Sequence, residues 1–195
     1  MTTDLGQIPS SSINMDHEDI VSTRRTADRL FTIAEIDTSM DRMAHDITDR
    51  LRHRNPLILT VMSGGMVPTG MLLARLDFPL QLDYIHLTRY GDKISGGDLE
   101  WIRQPPADLS GRTILLVDDL LDRGVTLQAA VDQCHIAGAT DVLSAVLLVK
   151  DVAQRPGLQK TDFFALTTRD RYVFGFGMDY KHYWRNCPGI FAVKE

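Results

Sequence analysis

The chain has 195 residues, enough for one domain or one domain with a small appendage. Its 21 lysines and arginines against 26 aspartates and glutamates leave a formal charge of −5, a poor basis for coating nucleic acid by neutralising phosphates. Apolar residues are 44% and charged residues 24%, ordinary globular proportions, and the longest apolar runs, such as Val142 to Val149, are too short to span a bilayer.

Residues 1–26 are expected as a polar tail or arm, and residues 27–195 as a single domain. Met1 to Asn14 lacks the apolar stretch of a secretory signal. Cys134 and Cys187 give no disulfide framework and read as small buried hydrophobes. A cytoplasmic protein is expected. Ala27 to Glu35 is a short amphipathic stretch. A helix capped by Asp37, Thr38 or Ser39 follows, with Met40, Met43, Ala44, Ile47 and Leu51 at helical spacing, and Asn55-Pro56 ends it. Leu57 to Met62 reads as a buried strand and Ser63-Gly64-Gly65 as a tight turn. Val67 to Leu76 is a helix with Pro68 in its first turn. Leu80 to Leu87 is a second strand. Thr88 to Glu100, polar and holding Gly91, Gly96 and Gly97, is long for a connector and reads as a lid or binding loop.

Thr113 to Val117 is a third strand, Thr126 to Ala137 a helix ended by Gly138, and Val142 to Val149 a fourth strand. Phe163 to Leu166, Tyr172 to Phe176 and Phe191 to Val193 are further strand candidates. Strands alternate with helices and are apolar on both faces. That pattern predicts an α/β fold with a central, mostly parallel sheet flanked by helices.

Ligands of such sheets sit beyond the carboxyl ends of the strands. After the first strand comes Ser63-Gly64-Gly65, after the second Arg89-Tyr90-Gly91, and after the fourth Lys150-Asp151. After the third comes Asp118-Asp119-Leu120-Leu121-Asp122-Arg123-Gly124-Val125-Thr126, the most informative segment. A helix start with a close-fitting glycine and a threonine hydroxyl is a phosphate seat. The acids ahead of it suit sugar hydroxyls or a hard cation such as Mg²⁺. Together they describe a holder for ribose 5-phosphate. No P-loop, dinucleotide fingerprint or zinc spacing is present.

Ile114-Leu115-Leu116-Val117 with the acidic segment and Leu127 resembles the phosphoribosyl pyrophosphate (PRPP) signature of the type I phosphoribosyltransferases. Leu148-Val149-Lys150, Tyr172-Val173-Phe174-Gly175-Phe176-Gly177-Met178-Asp179-Tyr180 and Tyr183-Trp184-Arg185-Asn186 resemble the C-terminal half of the hypoxanthine-guanine phosphoribosyltransferases. The resemblance spans about residues 27–195. It implies that family's fold, with a small hood built from the N- and C-terminal segments. It implies purine salvage by transfer of ribose 5-phosphate from PRPP to a 6-oxopurine, giving a purine nucleotide and pyrophosphate. It implies Mg²⁺ as cofactor and a homodimer or homotetramer, with neither nucleic acid nor membrane as partner.

The resemblance also implies roles. Asp118 and Asp119 would hold the ribose hydroxyls, directly or through Mg²⁺, and Asp122 would be the base near the purine. Asp122, Arg123, Gly124, Val125 and Thr126 would form the 5-phosphate loop. Lys150 would donate to the purine O6, Tyr172 would stack on the base, and Val173 would offer backbone contacts to its edge. Asp179, also counted among the purine-binding residues, would bind a Mg²⁺ on the pyrophosphate side. Ser63, Gly64 and Arg185 would meet pyrophosphate, and Arg89, Tyr90 and Gly91 belong to the lid. Ser63 stands where relatives carry Lys or Arg, Asp118 where Glu is usual, and Arg123 and Val125 where small or polar residues are usual. A xanthine-preferring enzyme and a catalytically silent PRPP or nucleotide sensor are the alternatives.

Overall fold

The computed structural model describes residues 17–89 and 99–194. In chain order these form α1 (His17–Thr26), β1 (Asp28–Phe31), α2 (Ile33–Leu51), β2 (Leu57–Met62), α3 (Met66–Leu73), β3 (Gln81–Arg89) and β4 (Leu99–Arg103). There follow β5 (Thr113–Leu121), α4 (Val125–Ile136), β6 (Asp141–Asp151), β7 (Phe163–Arg169), β8 (Val173–Phe174) and β9 (Ile190–Ala192). Among the described residues no helix is long and apolar enough to cross a membrane.

The main sheet runs β4-β3-β2-β5-β6-β7. Every pairing is parallel except β3 with the edge strand β4. Side chains of a strand alternate between faces, and β5 shows why this sheet is covered on both. Leu115 and Val117 join Ile36, Met40, Met43 and Ile47 of α2 in one apolar cluster. Ile114 and Leu116 join Leu127, Ala130 and Cys134 of α4 in the other. Burying each such side chain contributes about 1.5–3 kcal/mol, so the sheet's centre is its firmest part.

A second sheet, β1-β9-β8, is antiparallel and built from both ends of the described chain. It forms the hood. Helix α1, inside the segment expected as a tail or arm, lies against it: Ile20 packs with Phe174, Tyr180, Cys187 and Phe191. The Trp184 indole N–H donates to the Ile20 carbonyl at 2.8 Å, and Lys181 pairs with Asp19 at 3.1 Å.

Several element boundaries differ from the sequence expectation. The stretch 27–35 divides into strand β1 and the start of α2. The cap of α2 is Thr32, not Asp37, Thr38 or Ser39. Its hydroxyl accepts from the Glu35 N–H at 3.3 Å, and the Glu35 carboxylate accepts from the Thr32 N–H at 2.8 Å. Asp37 lies within the helix and pairs with Arg75 at 2.9 Å. Strand β4 occupies the end of the stretch expected as lid, with Arg89 opposite Leu99 and Thr88 opposite Glu100. Strand β5 runs four residues past Val117 because its pairing with β6 continues through Asp118, Leu120 and Leu121. Asp118 and Asp119 therefore sit within the strand's end, and Asp122 lies just beyond it.

Candidate active site

Beyond the carboxyl ends of β5, β6 and β7 lies a cleft of about 590 Å³, bounded on its other side by the hood. Asp118, Asp119, Asp122, Thr126, Lys150, Tyr172, Val173 and Asp179 line it, together with Leu120 and Met178. Residues more than 60 positions apart thus meet around one volume of the size that small ligands occupy.

The phosphate-seat segment has the geometry its composition suggests. Gly124 is the N-cap of α4 with φ +72°, left-handed backbone that favours glycine. A Cβ there would fall 2.4 Å from the Leu158 carbonyl oxygen. No side chain caps α4, so the first-turn amides and the positive end of the helix dipole are left for an anion. Thr126 lines the cleft in that first turn. Arg123 is exposed, and neither it nor Val125 lines the cleft.

Asp118 and Asp119 are held in low-dielectric surroundings. Burial pushes both carboxyls above the usual carboxylate range, Asp118 well above, and the neighbouring Asp119 charge raises Asp118 further. The Asp119 N–H donates to the Asp118 carboxylate at 2.8 Å. Gly64 lies against the Asp119 carboxylate so closely that a Cβ on it would fall 2.1 Å from an oxygen. Ser63, by contrast, is exposed and does not line the cleft; the Met62–Ser63 peptide bond is cis.

Arg185 joins the acid pair to the hood. Its guanidinium lies 2.7 Å from the Asp179 carboxylate and 3.9 Å from that of Asp119. It also donates to the Gly177 carbonyl at 2.6 Å. The Asp179 carboxylate accepts from the His182 N–H at 2.8 Å as well.

Lys150, at the end of β6, is 9% exposed in its side chain. Its ammonium lies 3.3 Å from Asp122 and 3.3 Å from Asp170. A buried ammonium demands such partners. Tyr172 lines the cleft while half exposed and meets Tyr180 edge-on, centroids 5.6 Å apart. Val173 is paired with Ala192 in the hood sheet. Arg89 ends β3, and Tyr90 and Gly91 lie outside the described residues.

Sequence reasoning missed Asp170 and Arg155. Asp170 directly succeeds β7, much as Lys150 lies at the end of β6, so its place just beyond the fifth strand of the sequence reading was the signal that could have found it. Arg155 contacts backbone carbonyls, which leave no pattern in sequence.

The residues present suit Mg²⁺ in one particular way. No group of three or more His, Cys, Asp or Glu side chains among the described residues forms a metal cage. The cleft instead offers the buried Asp118, the partly buried Asp119 and Asp179 against one guanidinium and one ammonium. Such a donor set fits a cation that arrives with a polyphosphate and takes one or two carboxylates from the protein.

A family model described as "Phosphoribosyl transferase domain" matches residues 26–183. The hypoxanthine-guanine-xanthine phosphoribosyltransferase of Tritrichomonas foetus is 26% identical over 166 residues, covering 85% of this chain and 91% of that one. The hypoxanthine-guanine phosphoribosyltransferase of Bacillus subtilis is 27% identical over 166 residues, covering 85% of this chain and 92% of the other. The solved structure of a hypoxanthine phosphoribosyltransferase from Staphylococcus aureus superposes with TM-score 0.79 at 20% identity, over 86% of this chain and 91% of that chain. With a match across most of its length and with this sheet and hood, the chain belongs to the phosphoribosyl transferase domain family.

Proposed function

We propose that this protein is a purine-salvage phosphoribosyltransferase that moves ribose 5-phosphate from PRPP to a ring nitrogen of hypoxanthine or guanine. The bond from the anomeric carbon to pyrophosphate breaks, and a carbon–nitrogen bond to the base forms. The observation that carries this reading is one cleft holding an uncapped helix start, an acid pair of one buried and one partly buried carboxyl, and a buried lysine beside a half-exposed tyrosine.

In this reading the α4 N-terminus seats the 5-phosphate and Asp118 and Asp119 take the ribose hydroxyls. Mg²⁺, held by those acids or by Asp179 together with the substrate, would supply positive charge at the leaving pyrophosphate. Arg185 adds a fixed cation on the same side, and the amides of the Ser63-Gly64 turn extend it. Asp122, within reach of Lys150, accepts the proton that the purine loses. Lys150 donates to the 6-oxygen while Tyr172 stacks on the ring. Adenine's amino group would set donor against donor, a mismatch of about 1–3 kcal/mol.

A cytoplasmic setting and a homodimer or homotetramer belong to the same proposal. Both cysteines are buried and free, as in a reducing compartment. Exposed Met66, Leu82 and Tyr84 border an apolar hollow on α3 and β3 that gives a self-contact a place. The test is an ultraviolet assay with PRPP, Mg²⁺ and hypoxanthine, guanine, xanthine or adenine in turn. Turnover of hypoxanthine or guanine but not adenine is expected. Nucleotide binding without turnover of any base would replace the enzyme with a sensor, and a preference for xanthine would change the substrate.

A further inference from the structure

Between β6 and β7 the chain makes a loop, residues 152–162, that contributes nothing to the lining of the cleft. It is nevertheless stitched to the phosphate turn. The Gly157 N–H donates to the Arg123 carbonyl at 3.1 Å, and the Leu158 N–H to the Gly124 carbonyl at 3.0 Å. A Cβ on Gly157 would fall 2.3 Å from the Gly124 carbonyl carbon, so the two backbones are in direct contact.

Arg155 of this loop, partly buried, spreads its guanidinium over three carbonyls. Nε donates to Asp122 at 2.9 Å, Nη2 donates to Lys150, and Nη1 donates to Gln159 at 3.3 Å. The first carbonyl belongs to the turn that seats the phosphate, and the second to the strand end that carries the base-reading lysine. Asp122 lies just past β5 and Lys150 in β6, strands that pair as far as Leu121 with Val149, and the Asp122–Lys150 side-chain pair ties the same two residues. A planar fork of donors holds several acceptors at fixed relative positions, whereas an ammonium is a point charge on a flexible stem.

We infer that Arg155 is a positioning residue that fixes the phosphate turn relative to Lys150, so that binding at the two ends of the cleft depends on one guanidinium. The inference rests on the reading of the cleft given above. A group that only stabilised the loop would change the melting temperature and leave both substrates' affinities alone. A group that sets the distance between two subsites changes both.

The experiment uses the full chain with Arg155→Met, Arg155→Lys and Arg155→Ala. It reads the KM for PRPP, the KM for hypoxanthine, kcat and the melting temperature. In Arg155→Met both KM values rise, each on the order of tenfold, the scale of losing a charge-assisted hydrogen bond. Arg155→Lys restores neither, and it alone decides the matter if Arg155→Met does not fold. In Arg155→Ala, low concentrations of guanidinium recover activity while methylammonium does not. The inference is overturned if the wild type turns over and the variants keep both KM values, or if one KM moves alone. A wild type inactive on every base breaks the functional reading instead, which separates the two failures.

Discussion

At the proposed phosphate end of the cleft one continuous stretch, Asp118–Thr126, supplies the acid pair, the proposed proton acceptor Asp122 and the helix start. At the base end Lys150, Asp170, Tyr172 and Asp179 come from separate segments. Their support also comes from far off: β1 and β9 build the hood sheet, and α1 braces it through Ile20 and Trp184. The first end is shaped by local backbone on the sheet's firmest strand. The second depends on long-range packing. In the proposed function, chemistry common to every substrate falls on the local end and base selection on the assembled one.

That contrast is testable by variants at either end. The largest effect is expected from Asp122→Asn, which keeps the shape of the phosphate turn but removes the proton acceptor. Turnover should fall on the order of 10²–10⁴-fold, the usual worth of a general base, while product nucleotide still binds. Unchanged kcat would remove Asp122 from the chemistry. Next in size is Lys150→Gln. It should raise the KM for hypoxanthine by roughly 10–100-fold, as expected for one lost charged hydrogen bond, with a far smaller change for PRPP. An equal rise for both substrates would show that the base end is not separable from the phosphate end at this residue. Smaller still is Trp184→Phe, which leaves the Ile20 carbonyl without its indole donor. A loss of about 1 kcal/mol in stability is expected, with a modest rise in purine KM and none for PRPP. Calorimetry and kinetics together decide whether α1 serves the base end alone.

The same contrast explains how much was legible in the sequence. The fold class, the strands at Leu57 and Val142 and the acidic segment were readable because each is a local pattern: an apolar run, or acids followed by a glycine and a helix. Thr32 was readable too, since Thr32-Ile33-Ala34-Glu35 has capping-box spacing, but the amphipathic reading of 27–35 concealed the boundary. Strand β4 was hidden by being an edge. Glu100, Ile102 and Arg103 are exposed, so its polarity resembles a loop. Asp170 could have been found from its place just past β7, but Arg155 was hidden for a different reason. Its work is done by contacts to backbone carbonyls, and spacing along the chain does not encode those.

The smallest effect expected comes from Asp118→Asn, read as stability against pH. Burial and the neighbouring Asp119 raise the Asp118 carboxyl well above its ordinary value of 3.8 in the folded protein. Between the unfolded and folded values the folded state therefore binds the extra proton, and stability falls as pH rises. The contribution is fully present below about 4, the unfolded value, and is lost as pH climbs through the folded value. Asparagine has no charge to bury and keeps an oxygen to accept the Asp119 N–H now bonded at 2.8 Å. The melting temperature of the variant minus that of the wild type should therefore be small near pH 4 and grow toward pH 8, because groups common to both proteins cancel. Turnover should fall meanwhile, since the discarded charge is the one proposed to meet the ribose hydroxyls or Mg²⁺. A flat difference would mean that Asp118 titrates as a solvated carboxylate, and one that shrinks with rising pH would mean that the fold stabilises its charge. The cost of burying a charge at the phosphate end would then have to be sought at Asp119, which Gly64 and Arg185 enclose.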